Sequence, residues 1–393
     1  MSLPRMLLKA GSRRGFAMPL RRFSAMPVAR SAAAEAEAAP KLTYKAPATG
    51  VNRTYDEALK IIAEDKIKRL EEIKVLQAKI GQLKQAAATQ ERDAEIEALE
   101  DRVYKQQVYA ELNDPEVQWR FQHGVEVDMS KPVFRYMKNK QFVRERLPVI
   151  QQRVTQMFVT PDLLPPFTPS MDVRLDYDLL GSSQITASKS SSLLARVPMT
   201  AEQLEEGKYF ETGSYLLPGQ TLQQPKLDVG VFHPEQRLYT IVMVDPDVPD
   251  MDNQAYKQKL HWVMTNVPLS ATQTLVDPST ANVILPYLPP HPHKGTKYHR
   301  YTVLVCEQPN KGQESISSEA VNISRDSTTF QSLCSQLRLS TKGLTFFRQI
   351  WDKDVSKIYK EILQEDEPVF GKMPRVDPLL DEAGQKKKKY ENL

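Results

Sequence analysis

The strongest constraint on the fold is a series of short apolar stretches, separated by turn residues, in the second half of the chain. The first of them, "MDVRLDYDLLG" from residue 171, alternates apolar and polar residues, as a half-buried strand does. Further strand-like stretches cover residues 226–232, 238–244, 261–267 and 301–307. Such strands, joined by turns, are typical of antiparallel pairing. The sequence therefore predicts a β-rich domain over 171–362 with a mainly antiparallel central sheet.

The borders of this domain carry their own signals. The segment "TPDLLPPFTPS" holds four prolines in eleven residues and predicts a boundary at about 160–170. Near the other end, an apolar series has the spacing of a helix and predicts one that packs on the sheet: Phe346, Ile350, Val355, Ile358 and Ile362. Residues 363–393, which include "GQKKKKYENL", are expected to form a basic C-terminal tail.

The first half of the chain has a helical pattern instead. Thr54 followed by Glu57 fits a capping box, and long charged helices are expected over 54–112. An apolar stripe recurs at helical spacing through this region: Ile73, Leu76, Ile80, Leu83, Ile96, Leu99 and Val103. Because this coiled-coil-like stripe is narrow, we expect it to lie along another protein or an RNA. A helical connector is expected over 113–170, so the fold class is α+β.

The excess of basic residues that gives the net charge of +4 lies at the N-terminus. Residues 1–34 contain seven basic residues and no acidic residue, which leaves 46 basic against 49 acidic residues in the remainder. An arginine-rich segment without acids is typical of a mitochondrial transit peptide, predicted here over 1–24. A basic arm that binds nucleic acid is the alternative interpretation. Residues 25–53 are then a linker or extended arm, and no apolar run is long enough for a membrane span.

A basic stretch, "KPVFRYMKNKQFVRERL" (131–147), interleaves aromatic residues with lysines and arginines. Such a mixture can bind phosphates and stack on bases, whereas a solvated helix face with buried aromatics has the same pattern. The candidate RNA contacts are Lys131, Arg135, Lys138, Lys140, Arg144 and Arg146.

Ionisable side chains gather next to predicted strand ends. "DPDVP" (245–249) follows one strand, His261 begins another, and His299 and Tyr301 lie at the entrance of a third. Concave sites form at such edges, where imidazole N–H groups can bind a small anion, more strongly at mildly acidic pH. Asp247 fits a turn-forming residue better than a ligand. The His291-x-His293 pair is compatible with zinc but is more typical of a solvated turn.

These segments, "YTIVMVDPDVPD", "LHWVMTNV" and "KGTKYHRYTVLVCEQ", resemble the phosphatidylethanolamine-binding protein (PEBP) family over about 171–362. The resemblance implies a central antiparallel sheet, flanking helices and a small anion pocket. The implied pocket residues are Asp245, Pro249, His261, Lys294, Gly295, His299 and Tyr301, with a cis Val248–Pro249 peptide bond. Asp250-Met251 replaces the Ser-Arg usual in the family, and His291-Pro292-His293 replaces Gly-Pro-Pro at the rim.

The combination of an import signal, a helical extension and a PEBP-like half resembles a family of structural proteins of the mitochondrial large ribosomal subunit. That resemblance implies a matrix location near the central protuberance, other large-subunit proteins as partners, limited contact with ribosomal RNA, and a non-catalytic pocket without a cofactor. The absence of a Ser or Cys nucleophile motif agrees with a non-enzyme. The alternative hypothesis is a free-standing matrix regulator that binds phospholipid head groups or phosphate.

Overall fold

The computed structural model describes residues 43–86, 89–177, 209–317 and 323–371. The predicted transit peptide, most of the following linker and most of the basic tail lie outside these residues. The α-helices of five or more residues are α1 (Arg53–Gln85), α2 (Gln90–Leu112), α3 (Pro115–His123), α4 (Pro132–Gln141), α5 (Leu147–Gln156), α6 (Phe330–Leu337) and α7 (Lys353–Lys357). Two π-helical segments, Phe142–Arg146 and Ile358–Leu363, directly continue α4 and α7. The strands are β1 (Asp172–Asp176), β2 (Lys226–Gly230), β3 (Arg237–Asp250), β4 (Ala255–Leu269), β5 (Asn282–Leu285), β6 (His299–Glu307) and β7 (Ser340–Gln349).

The N-cap of helix α1 lies two residues before the predicted one. The side chain of Asn52 accepts hydrogen bonds from the backbone N–H groups of Thr54 and Tyr55 at 3.1 and 3.3 Å. Asn52 is therefore the N-cap, and the prediction that Thr54 caps the helix is wrong. An asparagine oxygen satisfies the free N–H groups of a first turn as well as a threonine does.

Helices α1 and α2 form an antiparallel hairpin that buries its own apolar stripe. Ile73, Leu76 and Ile80 of α1 pack against Ile96 and Val103 of α2. Ion pairs flank this contact, with Lys79 bonded to Glu95 at 2.7 Å and Lys66 next to Glu111 at 3.9 Å. The expectation that the stripe lies along another molecule is thus wrong, because the break after Gln85 lets the second half of the stripe fold back on the first.

The predicted antiparallel sheet is confirmed. Five strands follow the order β5-β4-β3-β6-β7, and each neighbouring pair is antiparallel. Strands β1 and β2 form a separate antiparallel pair. Strand β5 and strand β7 were not predicted, since "NVIL" is short and largely exposed and β7 lacks a clear alternation.

The five-stranded sheet is buried on both faces. On one face, Ile241 and Met243 of β3 pack with Val173 of β1 and Val229 of β2. On the other face, alternate residues of the same strand, Val242 and Val244, pack in a core that includes α5 and α6. Burial of both faces explains why β3 and β6 read as continuous apolar runs.

The helix predicted from Phe346 to Ile362 is partly wrong. Phe346 belongs to β7, Ile350 and Ile362 are about half exposed, and helix α7 starts only at Lys353. The buried residues Val355 and Ile358 do pack as predicted. The apolar spacing joined a strand to the following helix, an ambiguity that periodicity alone does not resolve.

The expected connector belongs to the packed unit. Phe142, Ile150, Leu163 and Leu164 lie in the core beneath the sheet, so the proline-rich segment crosses a buried surface. The Thr160–Pro161 peptide bond in this segment is cis. Within the described part of the chain, no helix is both long and apolar enough to cross a membrane.

Candidate functional site

A group of buried polar side chains lies where β3 and β6 separate. Pairing between these strands ends at Val244 and Thr302, and the register between β3 and β4 shifts after Asp245. Irregularities of this kind re-aim side chains next to functional sites. The side chains that meet here, named the histidine cluster below, are Asp245, His261, His291, His293, His299 and Tyr301.

An ion pair forms the centre of this cluster. His299 Nδ1 donates to Asp245 Oδ2 at 2.7 Å, and both side chains are almost fully buried. Burial opposes charge on both groups, but each partner stabilises the charge of the other: the pKa of Asp245 falls to about 2 and the pKa of His299 rises. His299 Nε2 lies 3.0 Å from Thr296 Oγ1, whose hydroxyl donates to the carbonyl oxygen of His293 at 2.7 Å. Both His299 nitrogens therefore have partners within the protein.

His261 and His291 are neutral. Their Nδ1 atoms donate to the carbonyl oxygens of Leu288 and Pro289 at 3.0 and 2.8 Å. Burial lowers the pKa of His261 to about 4 and lowers that of His291 well below its usual value. A neutral imidazole with a protonated Nδ1 presents a bare Nε2 acceptor. His261 Nε2 is buried and has no hydrogen-bond partner among the described residues.

His293 also belongs to this buried cluster, contrary to the prediction of a solvated turn. The side chain is only 7% exposed, and its ring lies 5.4 Å from that of His299. Burial, together with the charge on His299, lowers the pKa of His293 to about 4. No three His, Cys, Asp or Glu side chains in the described ranges take up a metal-binding arrangement.

The charges of the cluster nearly cancel. One carboxylate faces one imidazolium, and the pKa values of His261, His291 and His293 all lie below the usual value. At mildly acidic pH these three imidazoles therefore add no positive charge, and the predicted stronger binding of an anion depends on His299 alone, whose pKa is raised.

The remaining residues of the predicted pocket occupy different positions. Tyr301 is fully buried, which raises its pKa well above the usual value, and its ring stacks on Phe347 at 5.6 Å. Lys294 and Gly295 lie at the rim, where Lys294 Nζ sits 4.7 Å from the centre of the Trp351 ring. Pro249 pairs with the exposed Tyr256 at the far end of β3. The Val248–Pro249 bond is trans, so the prediction of a cis bond is wrong.

Asp245, not Asp247, stabilises the turn. Asp245 Oδ1 accepts a hydrogen bond from the backbone N–H of Asp247 at 2.9 Å, and the Asp247 carboxylate binds Arg300. The prediction for Asp247 is therefore wrong. Arg300 donates to both carboxylate oxygens of Asp247 at 2.8 and 2.6 Å and to Asp162 at 2.9 Å. These charges raise the pKa of the guanidinium even though burial opposes them.

Two residues near the cluster were not predicted. The Tyr359 ring lies 5.5 Å from that of His291, and the Phe370 ring lies 5.4 Å from that of His293. Both follow the last strand, β7, and no local pattern indicates that the chain returns to the mouth of the site. Only the tertiary fold brings them there.

The basic stretch has a smaller exposed surface than its sequence indicates. Arg135 is buried and donates to the carbonyl oxygens of Met129 and Ser130, while Arg146 pairs with the buried Asp172 at 2.9 Å. These two residues are therefore not free RNA contacts. Lys131, Lys140 and Arg144 are exposed, and Lys138 is half-buried. The aromatic residues Phe134 and Phe142 lie in the core, which excludes them from stacking on bases.

Comparison with known families places the similarity in the same part of the chain. Residues 200–345 match the family model described as phosphatidylethanolamine-binding protein. Two similar solved structures are the carboxypeptidase Y inhibitor complexed with its cognate proteinase and a phosphatidylethanolamine-binding protein from Plasmodium vivax. The first has a TM-score of 0.40 and 18% identity, and covers 53% of this chain and 98% of its own. The second has a TM-score of 0.36 and 15% identity, and covers 51% of this chain and 97% of its own.

A curated relative extends beyond this region. The chain is 28% identical over 249 residues to the large ribosomal subunit protein mL38 of Schizosaccharomyces pombe, a match that covers 63% of this chain and 71% of the relative. The segment 171–393 contains fewer residues than this alignment, so the similarity must include part of the N-terminal helical region.

Proposed function

We propose that this chain, which joins a helical N-terminal region to a phosphatidylethanolamine-binding-protein-like domain, is a structural constituent of the mitochondrial large ribosomal subunit. The single observation that carries this proposal is the extent of the similarity to mL38, which reaches beyond the PEBP-like domain into the helical region. The α1–α2 hairpin has its own apolar core and contributes no residue to the histidine cluster, so binding at the cluster does not account for it. Fold alone does not fix function, so this longer similarity, which covers 63% of the chain, weighs more than the domain match.

The histidine cluster supports a non-catalytic role. Its central carboxylate and imidazole are almost fully buried and paired with each other, and both His299 nitrogens have partners inside the protein. A general base must reach the proton that it removes from a substrate. We therefore infer that the chain is not an enzyme and that the ion pair stabilises the fold at the point where two strands separate.

The surface supports partners that are mainly proteins. Beyond the basic N-terminus the charges nearly balance, whereas deep contact with RNA requires many free cations to neutralise phosphates. The exposed residues Lys131, Lys140 and Arg144 remain available for limited contact with ribosomal RNA. We infer a matrix location near the central protuberance, with other large-subunit proteins as the main neighbours.

Sedimentation of a mitochondrial lysate tests this role. The chain, tagged at its C-terminus, should comigrate with the large subunit in a sucrose gradient, both in moderate salt and after low magnesium separates the subunits. A chain that lacks residues 1–24 should stay outside mitochondria and serves as the control for import. Migration of the mature chain only at the top of the gradient would contradict the proposal and favour the alternative of a free matrix regulator.

That alternative makes a different prediction. A regulator that binds phosphate or lipid head groups should bind them when purified alone, and His299→Ala should abolish the binding. Calorimetric titration with inorganic phosphate measures this directly. The neutral state of His261, His291 and His293 gives no reason to expect such binding in the closed structure.

A further inference from the structure

The last described segment, residues 365–371, lies across the mouth of the histidine cluster and is called the C-terminal strap below. Val369 pairs in parallel with Lys294, and the backbone N–H of Phe370 donates to the carbonyl oxygen of Lys294 at 2.8 Å. The strap thus adds a short β-type contact to the rim of the site. Lys294 and Gly295, which were expected to contact a ligand, contact the backbone of the strap instead.

The rim is shaped for this contact. Gly295 has a φ of +90°, and a Cβ atom at this position would lie only 1.8 Å from the carbonyl oxygen of Phe370. Any other residue would collide with the strap as well as strain its own backbone. The Phe370 ring meets that of His293 almost at a right angle, with the ring centres 5.4 Å apart. Phe370 therefore covers a histidine whose Nδ1 has no hydrogen-bond partner among the described residues.

A second set of contacts holds the strap from the other side. Glu367 accepts hydrogen bonds from Ser356 Oγ at 2.7 Å and from Trp351 Nε1. The backbone N–H of Glu365 donates to the carbonyl oxygen of Tyr359 at 3.2 Å, and the ring of Tyr359 contacts His291. Through these residues the strap is tied to the segment just after β7, to α7 and to the π-helical segment that follows it.

The strap itself is less securely held than the cluster beneath it. Val369 is 66% exposed, whereas His261 and His299 are each 1% exposed. Segments with few buried contacts open at a lower free energy than the core that they cover. The strap can therefore leave its place while the sheet stays folded.

We propose that the C-terminal strap is a built-in lid that closes the histidine cluster to solvent and small molecules. Release of Phe370 from the rim exposes His293 first, since His293 lies directly beneath it. This lid does not depend on the ribosomal role: it would operate in the same way in a free protein, and its test requires no ribosome.

Histidine modification by diethyl pyrocarbonate, mapped by mass spectrometry in the full chain, tests the lid. The six histidines provide internal references, because His123 and His233 lie outside the cluster. In Phe370→Ala and in Glu367→Ala, His293 should react about tenfold faster relative to His123 than in the unaltered chain, the change expected if opening becomes about 1.4 kcal/mol easier. The matched control is Val369→Ala, whose exposed side chain does not touch the cluster and which should leave the rate unchanged.

Two results would overturn the lid. One is equal protection of His293 in both variants and in the unaltered chain, and the other is the same acceleration in Val369→Ala. Glu367→Ala also guards against misfolding, because its side chain lies outside the cluster. If the modification of His293 becomes faster in this variant while the urea unfolding midpoint stays unchanged, opening of the strap is the cause.

Discussion

Arg300 shows how one side chain can join segments that are far apart in the sequence. Its guanidinium donates to Asp247, to Asp162 and to the carbonyl oxygens of Met157 and Phe158. The segment before β1 is thereby tied to the end of β3 and the start of β6. A planar fork of donors suits this role, which a lysine could not fill.

Replacement of Arg300 by methionine should destabilise the fold strongly. The change keeps much of the side-chain volume but leaves the Asp247 carboxylate without its bidentate partner. Loss of one member of a buried ion pair costs about 3–5 kcal/mol. Urea unfolding measures this loss of stability. Arg144→Met is the matched control: Arg144 is 76% exposed, so its replacement should change the free energy of unfolding by less than about 0.5 kcal/mol. Equal midpoints for the two variants would show that the network contributes little.

The histidines of the cluster should make the fold sensitive to acid. The folded pKa values of His261 and His293 are about 4, below the unfolded value of 6.5. Their contribution is therefore complete above pH 6.5 and is lost as the pH falls towards 4, because the unfolded chain binds protons that the folded chain does not. The raised pKa of His299 acts in the opposite direction: its contribution is complete below pH 6.5 and is lost as the pH rises through the folded value. We expect a net loss of unfolding free energy in acid, because three cluster histidines (His261, His291 and His293) have lowered pKa values and only His299 has a raised one.

Substitution of His293 by asparagine should reduce this acid sensitivity. Removal of one proton-uptake site lowers the slope of the unfolding free energy against pH by about 1 kcal/mol per pH unit near pH 5. Urea unfolding at several pH values between 4.5 and 7.5 gives the slope independently of the absolute stability of the variant. His123→Asn, a change outside the cluster, is the control and should leave the slope as it is. An unchanged slope in His293→Asn would mean that His293 is protonated in the folded chain.

At the scale of helices and strands, the sequence predicted the kinds of element better than their partners. The helical stripe from Ile73 to Val103 was visible, but periodicity does not tell whether a stripe meets another molecule or its own continuation. Here α1 ends at Gln85 and a new helix begins behind the N-cap Thr89, and this interruption of the helix decides the outcome. Strand β7 was missed because burial on both faces removes the alternation that marks a strand.

Truncation of Leu76 should loosen the hairpin selectively. Leu76 lies in the small apolar contact between α1 and α2, and its replacement by alanine removes buried methyl groups at a cost of about 2–5 kcal/mol. Amide hydrogen exchange should become faster in residues 53–112 and stay unchanged in β3 and β6. The neighbouring Val75 is 70% exposed, so Val75→Ala is the matched control, with no change expected. Uniform acceleration across the sheet would instead show that hairpin and sheet unfold together.

At the scale of the whole molecule, the sequence predicted which residues of the candidate site meet but not their protonation states. The meeting of Asp245, His261 and His299 was predicted because each lies beside a strand end, and strand ends of one sheet converge. The states of these groups were not predictable, since the pKa values depend on burial and on carbonyl partners such as Leu288 that only the folded chain supplies. The strap was not predictable either, because its contacts with Lys294 and Gly295 join segments 75 residues apart in the sequence.

The hairpin and the sheet have separate apolar cores, so the proposed ribosomal role and any role of the histidine cluster can be tested independently. The hairpin core shares no residue with the two cores of the sheet. The hairpin meets the rest of the chain through Leu112, which packs against Val133, Phe134 and Met137 outside those cores, and through an exposed ion pair between Lys311 and Glu97 at 3.0 Å. Exposed pairs of this kind contribute little. Deletion of residues 53–112 should therefore leave the sheet folded, as near-ultraviolet circular dichroism can check.

We expect the deleted chain, once imported, to stay at the top of a sucrose gradient, since we propose that the exposed polar faces of the hairpin contact neighbouring large-subunit proteins. Asp245→Asn removes the charge of the central carboxylate and leaves the hairpin intact, so this variant should still comigrate with the large subunit at about the level of the unaltered chain. If Asp245→Asn instead released the chain from the subunit while its unfolding midpoint stayed above the assay temperature, the cluster would be part of the assembly surface. Normal comigration of the deleted chain would transfer the anchoring role from the hairpin to the PEBP-like domain.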